Sequence, residues 1–113
     1  MSCLFCDIAA GKIPSKRVHE DAACVAFEDI QPQAPTHVLV IPREHLATAN
    51  ELTATHDALV GHLVRVAQGI AAGRGHAEDG YRLVLNCQRG AGQSVFHLHL
   101  HLLAGRAFGW PPG

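Results

Sequence analysis

An α+β fold with an antiparallel sheet is what this sequence predicts, and three observations predict it. Short apolar and β-branched runs outnumber helical ones, most are joined by short turns, and one segment alone sustains a helical period. With 113 residues, 48% hydrophobic and 17% charged, the chain suits one globular domain over residues 1–113 and is too apolar to be disordered.

Residues 3–11 read as a short helical turn closed by Gly11, with Pro14 preventing its continuation. Arg17–Glu20 and Ala23–Phe27 read as two short strands joined tightly at Asp21-Ala22. The segment from Asp29 to Thr36 holds Pro32 and Pro35 and reads as an ordered, non-regular loop. His37–Ile41 is continuously apolar after its first residue, hence a buried strand ended by Pro42. Leu59, Leu63, Val66 and Ile70 recur at i, i+4, i+7 and i+11, one face of a long helix. Thr53 or Thr55 can cap its start, and Gly73 or Gly75 can end it. Tyr81–Asn86 is a further strand, Gln88–Gln93 a glycine-bearing turn, Val95–Leu103 the last strand, and Trp110–Gly113 a tail.

Nine Lys and Arg against ten Asp and Glu leave a formal charge of -1, so no basic footprint for nucleic acid is expected. No apolar run approaches the roughly 20 residues of a membrane helix, so no membrane partner is expected. The N-terminus lacks a basic region and meets Asp7 early, unlike a signal peptide. A cytoplasmic protein with reduced cysteines is the expectation. Cys24 and Cys87 then read as small thiols buried in strand-like runs.

The unusual feature of the composition is nine histidines, as many as all lysines and arginines. His97, His99 and His101 alternate with Leu98, Leu100 and Leu102. On a strand this puts three imidazoles on one face, about 6.6 Å apart, with the leucines buried behind them. A backbone carbonyl can satisfy one core histidine, but three in a row point to a functional site. Two chemistries fit. Imidazoles at i and i+2 can share a Zn²⁺, or the central ring can attack phosphorus while its neighbours orient it and bind oxygens. Gly90-Ala91-Gly92-Gln93-Ser94 just upstream favours the second, since its backbone amides and hydroxyl suit a phosphate. Cys3-Leu4-Phe5-Cys6 supplies only half of a tetrahedral metal site, and no strand precedes it as a thioredoxin-like turn requires.

The run His97-Leu98-His99-Leu100-His101-Leu102-Leu103 resembles the signature of the histidine triad superfamily, and Gly92-Gln93-Ser94-Val95-Phe96 resembles its Hint branch. The Asp29–His37 segment, Gly80-Tyr81-Arg82 and Trp110-Pro111-Pro112-Gly113 agree in order along nearly the whole chain. The resemblance implies a half-barrel with an antiparallel sheet of about five strands, one long and one short helix, and a homodimer. It also implies hydrolysis of purine nucleoside 5'-phosphoramidates to AMP and an amine, without a catalytic metal. By position, His99 would be the nucleophile. His101 would bind a phosphate oxygen and orient His99 through its own backbone carbonyl, and His37 would complete the relay. Asp29 would hold the ribose hydroxyls, with Phe27 and Ile30 against the base. Asn86, Gly92, Gln93 and Ser94 would surround the phosphate and leaving group, Ser94 as a catalytic group. Trp110 would reach toward the partner subunit.

A subset of bacterial members of the superfamily carries the paired cysteines with a structural zinc, and the resemblance implies Cys3, Cys6, His45 and His97 as the matching ligands, the alternative being free thiols packed under the sheet. His19, His56, His62 and His76 are expected on the solvated surface. Rival readings are a branch acting on dinucleoside polyphosphates or sugar nucleotides, a zinc enzyme using the histidine row, and a nucleotide-sensing dimer.

Overall fold

The computed structural model describes residues 3–113. Five strands form one antiparallel sheet in the order β1-β2-β3-β5-β4: β1 Arg17–Glu20, β2 Cys24–Glu28, β3 Thr36–Pro42, β4 Tyr81–Val84 and β5 Leu100–Ala104. A short helix, α1 (Leu4–Ala9), and a long one, α2 (Asp57–Gly73), complete the α+β fold expected from the sequence.

The helices cover opposite faces of the sheet. Leu63, Val66, Ala67 and Ala71 of α2 bury against Val38, Val40, Leu98, Leu100 and Leu102, with Leu59 and Ile70 at the margin. The periodic stripe and the alternating leucines therefore meet each other, as their spacing predicts. Phe5, Ile8 and Ala9 of α1 bury against Val25, Phe27, Leu39 and Ile41 on the other face. Arginines hold α1 by its free carbonyls: Arg17 donates to Ile8 O at 2.6 Å and Arg43 to Ala9 O at 3.0 Å.

The ends of α2 differ slightly from expectation. Thr53 caps a single 3₁₀ turn, Ala54–His56, that leads into the helix, while Thr55 caps nothing. His56 completes that cap by accepting the Thr53 N–H on Nδ1 at 3.0 Å. Gly73 is the last helical residue, and Gly75, at φ +84°, turns the chain so that His76 N–H reaches Ala71 O at 2.9 Å.

Two strands are shorter than predicted, for a linked reason. The β3–β5 ladder stops at Val40↔Leu100, and β5 spans Leu100–Ala104 instead of Val95–Leu103. Two steps further the register would set Pro42 opposite Leu98, and Pro42 has no N–H to give. Leu98 N–H bonds instead to Leu46 O, at 2.6 Å. The β4–β5 ladder ends at Val84↔His101, so β4 stops before Leu85 and Asn86, one step short of the start of β5. His97 and His99 thus lie outside the ladder, in a segment that bends over residues 95–97, and His101 alone of the three stands on a strand.

Candidate active site and metal centre

Leaving the ladder separates the histidines into two tasks. His97 is fully buried and turns toward the N-terminus. Its Nδ1 lies 3.3 Å from Cys3 Sγ, 3.4 Å from Cys6 Sγ and 3.2 Å from His45 Nδ1. Cys6 Sγ is also 3.4 Å from His45 Nδ1. These spacings match the edges of a tetrahedron with metal bonds of about 2.0–2.3 Å, roughly 3.3–3.8 Å. The far nitrogen decides the tautomer: His97 Nε2–H donates to Pro42 O at 2.8 Å, leaving the Nδ1 lone pair aimed at the sulfurs. All four predicted metal ligands converge, and the donor set fits a closed zinc site. Burial, then Cys3, pushes the Cys6 thiol up to about 11 in the absence of a cation.

His99 turns the other way along the same segment. Its Nδ1–H donates to the backbone carbonyl of His97 at 2.8 Å, so Nε2 carries the lone pair. The orienting carbonyl therefore belongs to His97, not to His101 as the resemblance implied. The reason is local: the chain bends over residues 95–97 and leaves the His97 carbonyl outside the ladder and within reach of the His99 ring, while the chain after His101 runs on as β5. Phe5 stands edge-on to both rings, 6.0 Å from His97 and 5.2 Å from His99 between centroids. One aromatic side chain of α1 thus braces both His97 and His99.

His101 lies beside His99, with ring centroids 4.9 Å apart. Its partner comes from β3. The backbone N–H of Gln33 donates to His37 Nδ1 at 3.0 Å, which leaves the His37 proton on Nε2. That Nε2–H donates to His101 Nδ1 at 2.9 Å, so His101 keeps its own proton on Nε2. A chain of tautomers, started by one backbone amide, ends in a donor beside His99. Burial first, then His99 and His37, pushes His101 down to about 4. Burial also lowers His37, against the pull of Asp29. The pair is neutral at pH 7.

These lowered values set a pH dependence of stability. Between about 6.5 and about 4 the unfolded chain takes a proton at His101 that the folded chain refuses. Stability is therefore expected to fall as pH drops through that window, by on the order of 2 kcal/mol given partial exposure. Urea midpoints measured across the window check this, and His101→Gln should flatten the slope.

The remaining predicted residues are placed as follows. Asp29 Oδ2 lies 3.4 Å from His37 Nε2, while Oδ1 accepts the Gln31 N–H at 2.8 Å. Phe27 is buried under α1, and Ile30 is 95% exposed. Asn86 is half-buried, Ser94 is exposed, and Gly92 adopts φ +94°, which only glycine takes without strain. Gln93 alone among the glycine-loop residues turns its side chain into the protein. Buried, it accepts the Gln88 N–H at 2.8 Å and donates to Ala47 O at 2.8 Å and Val95 O at 3.0 Å. It ties the glycine loop from beneath, so Gln93→Ala is expected to cost about 2–3 kcal/mol in chemical denaturation. Trp110 is 86% exposed on the tail.

The four histidines expected on the surface all have partners, because half-burial leaves ring nitrogens short of water. His56 belongs to the cap of the 3₁₀ turn and reaches Glu44 at 3.2 Å. His76 Nε2 lies 3.1 Å from Thr36 Oγ1. His19 and His62 both bond Asp21 Oδ2, each at 2.7 Å. The His19 bond, ahead of opposing burial, then His62 and two backbone amides, hold the Asp21 carboxyl far below the usual carboxylate range.

An α+β sheet that carries an oriented imidazole, a second imidazole proton-fixed by a third, and a glycine loop beside them defines the histidine triad class. Residues 10–108 match the HIT domain family, and the chain belongs to it. It is 47% identical over 106 residues to a purine nucleoside phosphoramidase of Escherichia coli K12, covering 94% of this chain and 89% of that one. The crystal structure of a HIT family hydrolase from Legionella pneumophila superposes with a TM-score of 0.98 at 50% identity, covering 99% of this chain and all of that one. A zinc-bound histidine triad family protein from Mycobacterium smegmatis superposes with a TM-score of 0.82 at 35% identity, over 100% of this chain and 81% of that one.

Proposed function

We propose that this protein hydrolyses purine nucleoside 5'-phosphoramidates to AMP and an amine through a nucleotidyl intermediate on His99. The observation that carries the reading is the His99 ring itself, tied by Nδ1–H to the His97 carbonyl at 2.8 Å with Nε2 free and its lone pair unprotonated. The phosphoramidase relative at 47% identity supports the substrate class.

In the first displacement His99 Nε2 forms a bond to phosphorus as the P–N bond to the amine breaks. His101 Nε2–H binds a non-bridging oxygen where charge gathers. The departing amine takes a proton from solvent, relayed through the Ser94 hydroxyl. Water then attacks phosphorus, the P–Nε2 bond breaks, and the proton lost to the amine is restored from that water. Throughout, Nδ1–H stays on the His97 carbonyl, which stabilises the cationic phosphorylated ring. Asp29, with lone pairs left on its carboxylate, takes the ribose hydroxyls. Ile30 and Phe27 face the base. Gly92 and Asn86 line the phosphate, and Ser94 serves the leaving group. Gln93 contributes through the loop it holds.

Cys3, Cys6, His45 and His97 hold a zinc whose part is structural, since four protein ligands leave it no open position. When bound it clamps the N-terminal segment to His97, whose carbonyl orients the nucleophile. The active form is a homodimer, supported by Trp110 and Ile30, which stand out from the surface, and by β4 as an outer strand. No helix among the described residues is long and apolar enough to cross a membrane.

The test is incubation with an adenosine 5'-phosphoramidate, with and without a chelator of free metal, followed by a denaturant quench at alkaline pH, where the P–N bond to imidazole survives, and peptide mass spectrometry. AMP release unaffected by chelator, with adenylate found on the His99 peptide, is the expected result. Activity abolished by chelator, with no adduct, would instead favour zinc acting on the histidine row.

A further inference from the structure

We propose that His19, Asp21, Cys24 and His62 form a second site for a zinc-type divalent metal, where the β1–β2 turn meets α2. It shares no residue with the triad or with the Cys3–Cys6 centre. Four ligating atoms, His19 Nε2, Asp21 Oδ2, Cys24 Sγ and His62 Nε2, lie within 4.8 Å of one another. They arrive from β1, the turn, β2 and α2, so only the folded chain assembles them.

Three features favour an ion here over a simple hydrogen-bonded staple. Both imidazoles point the same nitrogen at one carboxylate oxygen, at 2.7 Å each, crowding a single acceptor. Cys24, fully buried beside α2, aims its sulfur at that same oxygen, 3.5 Å away. The other oxygen, Oδ1, is fixed by the amides of Ala23 at 2.8 Å and Cys24 at 2.9 Å, so the carboxylate is held in orientation as the outer partners of metal ligands usually are. Two nitrogens, one oxygen and one sulfur form a borderline donor set, suited to zinc and unsuited to magnesium or calcium.

Charge and protons balance. Asp21 and a Cys24 thiolate neutralise the two positive charges, with both imidazoles neutral. On binding, each imidazole moves its proton from Nε2 to Nδ1, and Cys24 releases one proton to solvent. The 2.7 Å contacts must open toward the roughly 3.3 Å edge of a zinc tetrahedron. The His19 and His62 side chains, 35% and 42% exposed, have room to do so, and the same exposure gives the ion a way in.

The protein is loaded with Zn²⁺, freed of excess, and its metal content measured by mass spectrometry. About two equivalents per chain are expected in the wild type, about one in His62→Ala, about one in Cys3→Ser/Cys6→Ser, and none in the combined variant. His19→Ala provides a second route to the same loss, with circular dichroism confirming the fold of each variant. Cobalt loading should show a thiolate charge-transfer band in Cys3→Ser/Cys6→Ser that disappears on adding His62→Ala. One equivalent in the wild type, unchanged in His62→Ala and His19→Ala, would overturn the proposal. One equivalent that survives Cys3→Ser/Cys6→Ser and departs with His62→Ala would support this site and refute the first.

Discussion

His99→Ala is expected to lower AMP release from an adenosine 5'-phosphoramidate by at least about 10³-fold, with the fold and nucleotide affinity kept. The magnitude follows from what the ring supplies. Its Nε2 is the only lone pair in the row both free of a protein partner and held in a fixed direction, because Nδ1 is spent on the His97 carbonyl. His101 cannot replace it, since its Nδ1 is occupied by His37 and its Nε2 bears the proton. His97 cannot either, being fully buried with Nε2 on Pro42. Alanine therefore removes the covalent route and leaves only phosphate binding by the remaining groups. Steady-state kinetics, with isothermal titration of AMP as the binding control, check this. A rate within about tenfold of the wild type would refute His99 as nucleophile.

The second large effect is expected from Cys3→Ser/Cys6→Ser. A ligand bound only by the folded chain at about 1,000 times its dissociation constant stabilises it by about 4 kcal/mol. For a domain of this size, losing that much lowers the melting temperature by on the order of 15 °C. Activity should fall as well, because Cys3 caps α1 and Cys6 and Phe5 lie within it, and Phe5 braces His97 and His99. The loss should appear chiefly in kcat, since the variant disturbs the nucleophile's direction more than the nucleotide contacts. Calorimetry and metal analysis provide the measurements. A melting temperature within about 2 °C of the zinc-loaded wild type would refute the structural role.

Much of the fold was legible because its signals are periodic. The 3.6-residue stripe from Leu59 to Ile70 and the two-residue alternation of Leu98, Leu100 and Leu102 predict two surfaces, and these two surfaces pack together. The strand ends were less legible. Whether β5 could begin at Val95 depended on Pro42, a residue more than fifty positions earlier that supplies no N–H to the ladder. The four histidines expected in solvent were missed for a similar reason. Only Asp21 betrays His62, and it lies 41 residues away.

The sequence by itself determined the class of fold, the core stripe, the three-histidine row and the residues that can ligate a metal, because each is a matter of residue type at a fixed spacing. Tertiary structure alone decided which histidine does what. His97, His99 and His101 are nearly identical in local sequence, each an imidazole next to leucine. They differ only in what meets their second nitrogen: Pro42 O for His97, His97 O for His99, and His37 Nε2–H for His101. An imidazole's role follows from which nitrogen holds its proton, and that is set by a hydrogen bond. In two of the three the partner is distant in the chain, so only folding could assign the roles.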